Sequence, residues 1–154
     1  MMAETKDPDE LRAIATSIVE KNQFMTLATA DVHGAPWASP VWYAHDAHRD
    51  FYWVSSPEAQ HSRNLAARPG LAIVIFDSHV VGGWNAVYLS ARAEQLDDVD
   101  DGLAIFSARS EASGFGPWGP DRVQPPAKHR LYRATATELF VLDDHDQRLL
   151  VDLP

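Results

Sequence analysis

The sequence contains no cysteine, which excludes disulfides, thiolate nucleophiles and cysteine-based zinc sites. Basic residues are also scarce: 13 Lys and Arg stand against 22 Asp and Glu, for a formal net charge of −9. That balance argues against nucleic acid as a partner, because binding a phosphate backbone needs a basic surface. No apolar run approaches membrane-spanning length, and the opening stretch MMAETKDPDE is acidic where a signal peptide would be basic. A cytoplasmic protein with no membrane contact is the expectation. No G-x-S-x-G elbow, dinucleotide fingerprint or P-loop occurs. The seven histidines include no pair at helical zinc-ligand spacing, so no metal site is expected; His33, His45, His48 and His145 read as surface turn residues.

What is present reads as one ordinary globular domain over residues 1–154, 45% apolar and 23% charged. An N-terminal helix occupies residues 1–22. Asp7 is placed to cap it, Pro8 suits its first position and Glu10 completes a capping-box spacing, while Leu11, Ile14, Ala15, Ile18 and Val19 form an apolar stripe ending near Asn22. From Phe24 the period changes to two. FMTLATA, APWASPVWYAH and FYWVSS, separated by the turns DVHG and DAHRD, predict three antiparallel strands across residues 24–55.

A short helix is predicted from about Pro57 to Ala67, then LAIVIFD as a strand buried on both faces, the loop SHVVGGWN and the strand AVYLSARAEQL. Residues 97–110 read as a helix with Val99, Leu103 and Phe106 on one side. Residues 111–127 form a Gly/Pro-rich arm whose Phe115 and Trp118 need somewhere to pack, and KHRLYRAT, TELFVLD and RLLVDLP close the chain as strands. The acidic runs at Asp97, Asp98, Asp100 and Asp101, and at Asp143, Asp144 and Asp146, read as solvated turns and helix starts. Six to eight strands with a few helices and tight early turns predict a mainly β fold, an antiparallel barrel with flanking helices.

Two features bear on chemistry. In SSPEAQHSRNLAARPG a polar segment opens a helix, and a helix N-terminus favours an anion. Hydroxyl, amide, imidazole and guanidinium groups all suit phosphate oxygens. The plainer reading is that Ser56 caps the helix and the rest face water. In SPVWYAH the aromatics serve either packing or the flank of a planar ring.

The run from FMTLATADVHGAPWASPVWYAH through SSPEAQHSRNLAARPGLAIVIFD to GGWNAVYLSARAEQL resembles the pyridoxamine 5′-phosphate oxidase-like, FMN-binding split β-barrel family over about residues 10–97. The resemblance implies a six-stranded split barrel and a homodimer with two flavin sites at its interface. It implies that Ser39, Pro40, Val41, Trp42 and Tyr43 lie along the flavin ring. Ser55, Ser56, Gln60 and His61 would hold the phosphate, with Ser62 and Asn64 as neighbours. Trp84 and Asn85 fall where the family offers an amide to the ring, and Trp118 would cap the flavin from the partner subunit. One departure stands out: such phosphate sites commonly carry Arg-Lys or Lys at the helix start, where this chain has Gln60-His61.

The activity implied is that of an FMN-dependent oxidoreductase acting on a small molecule, with no side chain named as catalytic because the flavin carries the electron chemistry. The alternatives are a deazaflavin-dependent reductase on the same fold and a non-catalytic flavin- or haem-binding protein with His61 or His79 as axial ligand. Five Trp, six Phe and four Tyr are many for a small domain to bury alone, which also suits a dimer.

Overall fold

A computed structural model describes residues 6–153. The first helix, α1 (Pro8–Lys21), starts at the Asp7 cap the sequence predicts; of the expected helical segment 1–22, residues 1–5 lie outside the described residues. The Asp7 carboxylate accepts from the backbone N–H groups of Asp9 and Glu10, each at 2.9 Å, and the Glu10 carboxylate accepts from that of Asp7 at 3.3 Å. Ala15, Ile18 and Val19 turn inward, and Leu11 and Ile14 pack at the edge of the same core.

Eight strands follow: β1 (Phe24–Ala30), β2 (Pro36–Trp42), β3 (Ala44–Asp46), β4 (Asp50–Ser55), β5 (Gly70–Phe76), β6 (Ala86–Gln95), β7 (Arg130–Leu142) and β8 (Arg148–Val151). Helix α2 (Gln60–Ala67) joins β4 to β5, and α3 (Asp100–Ala112) follows β6. Every pairing is antiparallel. The sheet order is β2-β1-β5-β6-β7-β4-β3, with β8 also on β7. The two outermost strands, β2 and β3, are separated in the chain by Tyr43 alone, so the sheet has to curl until its ends nearly meet. Tyr43 turns inward at that corner, and its hydroxyl donates to the Val19 carbonyl at 2.6 Å, tying the closure to α1.

Met25, Leu27, Phe51, Trp53, Ile73 and Ile75 fill the interior. A second cluster, including Tyr52, Val99, Leu103, Phe106 and Leu131, fixes α3 outside the curl. The architecture is mainly β, a curled split barrel with flanking helices.

Several expectations need correction. APWASPVWYAH breaks at Tyr43, so residues 24–55 hold four strands, not three. Helix α2 begins at Gln60, not Pro57. The Ser56 carbonyl accepts from Ala59 at 3.1 Å and its hydroxyl from Glu58 at 3.1 Å, which spends Ser56 on a preceding turn and leaves α2 with no side-chain cap. KHRLYRAT and TELFVLD merge into the one strand β7, which pairs with β4 through its first half and β8 through its second. Asp143 is buried, because its carboxylate accepts from the N–H groups of His145 and Gln147 at 2.8 Å each. His45 and His48 are half-buried, since their rings stack on each other at 5.1 Å and His45 stacks on Phe51 at 6.0 Å.

Strand β5 is buried on one face only. Leu71, Ile73 and Ile75 point inward, while Ala72 and Phe76 are exposed because no layer formed by the described residues covers them. The uncovered face is unusually apolar for an antiparallel sheet, whose solvent side is ordinarily polar. The register sets Pro40 beside Thr26 and Thr26 beside Val74, and Ala38 beside Ala28 and Ala28 beside Ala72. Phe24 and Phe76 flank those rows at 58% and 50% exposure.

Candidate functional site

A groove of about 850 Å³ opens between the barrel and the α3–arm layer. Its barrel wall comes from Phe24 on β1, Pro40, Val41 and Trp42 on β2, Val54 and Ser55 at the end of β4, and His61 in the first turn of α2. These meet because β2 and β4 approach each other where the sheet curls, and β4 runs directly into the turn before α2.

Its outer wall is aromatic. Trp42 meets Phe106 edge to face at 5.2 Å and Phe115 at 6.2 Å, and Phe106 meets Trp118 in the same way at 5.4 Å. Such T-shaped pairs let the positive ring edge of one partner meet the negative face of the next. The arm is pinned by the Trp118 N–H, which donates to the Ser107 hydroxyl at 2.9 Å, and by the Arg122 guanidinium, which lies 3.3 Å from the Trp118 ring centroid. Phe115 stays 66% exposed at the mouth.

The inner end is polar. His61 is 8% exposed, with Nδ1 3.1 Å from the Ser39 hydroxyl and Nε2 2.9 Å from the Ser55 hydroxyl. Burial holds its pKa below the usual histidine value. Behind it, Asn64 donates to the Thr29 hydroxyl at 3.0 Å and accepts from the Gln60 amide at 2.8 Å.

Of the residues singled out in the sequence, Pro40, Val41, Trp42, Ser55, His61 and Trp118 line this one groove, and Ser39 joins it through His61. Others lie elsewhere. The Tyr43 side chain is fully buried in the core, where burial also raises its hydroxyl pKa, and does not flank the groove. Gln60 and Asn64 spend their amides on each other, with Thr29 and Arg63 as further partners. Ser56 sits in the turn before α2. Ser62 faces the other side of α2, lining a separate pocket with Leu65 and Tyr132, and its hydroxyl finds no partner among the described residues.

Trp84 and Asn85 line a different cavity of about 330 Å³ beneath α1, with Ile14 and Ile18. The backbone places them there: Trp84 adopts a left-handed φ of 63° while its N–H donates to the Leu142 carbonyl at 2.7 Å. His79 is exposed on that same loop and does not line the groove.

Sequence reasoning missed Phe106, Arg122 and His129 as groove residues. Phe106 read as ordinary helix packing. The other two sit in or just after the arm, where no periodicity assigns a side to any residue; the arm's unplaced aromatics were the available signal.

Among the described residues no helix is long and apolar enough to cross a membrane. The family model described as pyridoxamine 5′-phosphate oxidase matches residues 11–143. The pyridoxine/pyridoxamine 5′-phosphate oxidase of Bordetella avium is 31% identical over 123 residues, covering 77% of this chain and 54% of that protein. Its Bordetella petrii counterpart is 29% identical over 120 residues, covering 78% and 55%. The chain thus spans about half the length of these curated relatives.

Among solved structures, Campylobacter jejuni ChuZ superposes with a TM-score of 0.76 at 13% identity, covering 97% of this chain and 61% of that one. HutZ, the haem storage protein of Vibrio cholerae, gives 0.67 at 20%, covering 86% and 94%. An F420 reductase gives 0.55 at 24%, covering 80% and 93%. At these identities the likeness is one of fold. With the family model spanning everything from the first turn of α1 to just past the end of β7, the chain belongs to the pyridoxamine 5′-phosphate oxidase family.

Proposed function

We propose that this chain is an FMN-dependent oxidoreductase acting on a small molecule, working as a homodimer. The observation that carries the reading is the convergence of Pro40–Trp42, Ser55 and His61 on one groove. Its wall is apolar and aromatic, as a tricyclic ring requires. Its inner end offers hydroxyls, an imidazole and the start of α2, the kind of donors a phosphate accepts from. The buried indole N–H of Trp42 has no acceptor among the described residues, and a ring carbonyl or nitrogen is the kind of group that would satisfy it.

In this reading Pro40, Val41 and Trp42 flank the ring while Ser39, Ser55 and His61 face the phosphate end. Bound there, FMN would supply the electron transfer, while the protein positions the ring and excludes water. The uncovered sheet face supports the dimer reading. Phe24 and Pro40 belong both to that apolar face and to the groove, so a second copy laid on the face would also wall the site.

The test is an absorption spectrum of the purified protein, with mass spectrometry of whatever it releases on denaturation. Flavin bands and released FMN are expected. A colourless protein that takes up no added FMN overturns the proposal. Preferential uptake of a deazaflavin, or a Soret band with haem, would instead favour one of the two alternative ligands. Sedimentation as a monomer at micromolar concentration removes the dimer.

A further inference from the structure

A phosphate dianion gains most from a fixed positive charge, because charge-assisted hydrogen bonds are about twice as strong as neutral ones. Helix α2 opens with Gln60 and His61, and its own Arg63 is exposed and donates to the Gln60 amide. A fixed cation stands beside that helix start on a different element. In the β4–β7 ladder Ser55 pairs with Arg130. Directly opposed residues on antiparallel strands share a face, with Cβ atoms about 5 Å apart. From that face the Ser55 hydroxyl meets His61 Nε2 at 2.9 Å. Strand register, not the path of a loop, thus sets the half-buried Arg130 beside the Ser55–His61 end of the groove.

Its guanidinium is also held in place. Nη1 donates to the Ala127 carbonyl at 2.6 Å and to the His129 carbonyl at 2.7 Å, and Ala127 and His129 both line the groove. A guanidinium has five N–H donors. These bonds use the two on Nη1 and leave those of Nε and Nη2 without a partner among the described residues. No carboxylate of the described residues pairs with Arg130, whereas Arg133 on the same strand is paired with Glu94. The other arginine of the groove, Arg122, lies over the Trp118 ring on the outer wall, next in sequence to Asp121, which also lines the groove.

We propose that Arg130 is the phosphate-binding cation of the groove, supplying from β7 the charge that the start of α2 lacks, and that the site therefore prefers FMN to unphosphorylated riboflavin. The inference rests on the flavin reading above and names the residue that sets its selectivity. Two backbone carbonyls hold the guanidinium before any ligand arrives, so little side-chain freedom is lost on binding. In the dimer proposed above, a second copy adds residues on the Phe24 and Pro40 side. The register that sets Arg130 beside Ser55 lies within one chain and is the same in either assembly.

The experiment titrates the purified protein and its Arg130→Gln variant with FMN and, separately, riboflavin at about pH 8, above the ordinary histidine range, following quenching of flavin fluorescence. The wild type is expected to bind FMN more than about tenfold more tightly than riboflavin. Arg130→Gln is expected to cut that preference about tenfold through lost FMN affinity, with riboflavin affinity little changed. A preference untouched by the substitution, as when Arg122 or a second copy supplies the charge, overturns the inference and leaves the flavin reading standing. So does equal weakening of both flavins, the result if the guanidinium only clasps the Ala127–His129 segment, and so does a wild type with no preference. Failure of the wild type to bind either flavin overturns both.

Should Arg130→Gln not fold, as read by its circular dichroism melt, the wild-type preference measured from about pH 7 to about pH 9 serves instead. Across that range the phosphate stays a dianion, its second pKa being about 6, and a guanidinium keeps its charge. The preference for FMN is then expected to hold within about twofold. A preference that fades towards the alkaline end would assign the charge to a titrating group such as His61 and overturn the inference.

Discussion

Helix α1 carries a reciprocal cap, a proline at its first position and an apolar buried stripe; α2 has no side-chain cap and buries a histidine, a serine and an asparagine. The first is stabilised by residues within its own turns and by ordinary apolar burial against the barrel. The second draws its partners from three strands: Thr29 on β1, Ser39 on β2 and Ser55 on β4, at sequence separations of 35, 22 and 6. Buried polar side chains cost stability unless bonded, so α2 is favourable only where the curled sheet already presents those hydroxyls. Natural chains depart from local rules mainly where function requires it. The uncapped, polar helix is the one that faces the groove.

This contrast can be tested from either side, and the largest effects come from the buried positions. Ile18→Ala in α1 removes apolar volume from the core and is expected to cost about 3 kcal/mol of stability in urea denaturation. Asn64→Ala in α2 leaves Thr29 and Gln60 without their partner, at about 2 kcal/mol. The two should separate in flavin titration: the Asn64 variant loses affinity because the start of α2 is no longer held, while the Ile18 variant, once folded, retains it. Equal flavin affinity in both would mean that the polar network of α2 serves packing alone.

Asp7→Ala probes the local rule by itself. Loss of the cap is expected to cost about 1 kcal/mol, visible as a lower urea midpoint with no change in flavin titration. The smallest effect concerns pH and lies outside both helices. Burial and the neighbouring His48 hold His45 at about 4, below its unfolded value. Between the ordinary histidine range and about 4, the unfolded chain therefore binds more protons than the folded one, and stability falls as pH drops through that window. Thermal melts across the window should show the decline, and His45→Gln should flatten it. A melting temperature that does not change on acidification would contradict the burial of that ring.

Much of the barrel was legible because period-two strands and tight turns are local signals. Strands β1, β4, β5 and β6, helix α1 and the buried side of α3 all stand close to where the sequence pattern places them. The break at Tyr43 was not, because it arises from closure of the sheet and an alternating run carries no mark of a corner. The second face of β5 was misread for a related reason: an apolar run does not say whether a layer of the same chain or something else covers it.

The candidate site divides likewise. Ser55, His61 and the Pro40–Trp42 strand were visible as a polar helix start and an aromatic strand. The placement of Trp84 and Asn85 under α1, and of Arg122 and His129 at the groove, depended on loop paths that no periodicity encodes.

The sequence by itself determined the element types, the absence of thiol chemistry, the family and the residue types available to a cofactor, because propensity, capping and alternation act over a few neighbouring residues. Only the tertiary structure decided that His61 sits between two hydroxyls rather than facing solvent, and that the aromatics of α3 and the arm face β2 across a groove. Those arrangements depend on groups tens of residues apart being brought within 3 to 6 Å, as the Ser39–His61 contact at 3.1 Å and the Trp42–Phe106 contact at 5.2 Å illustrate. Such distances are set by the curl of the sheet and not by any stretch of chain alone.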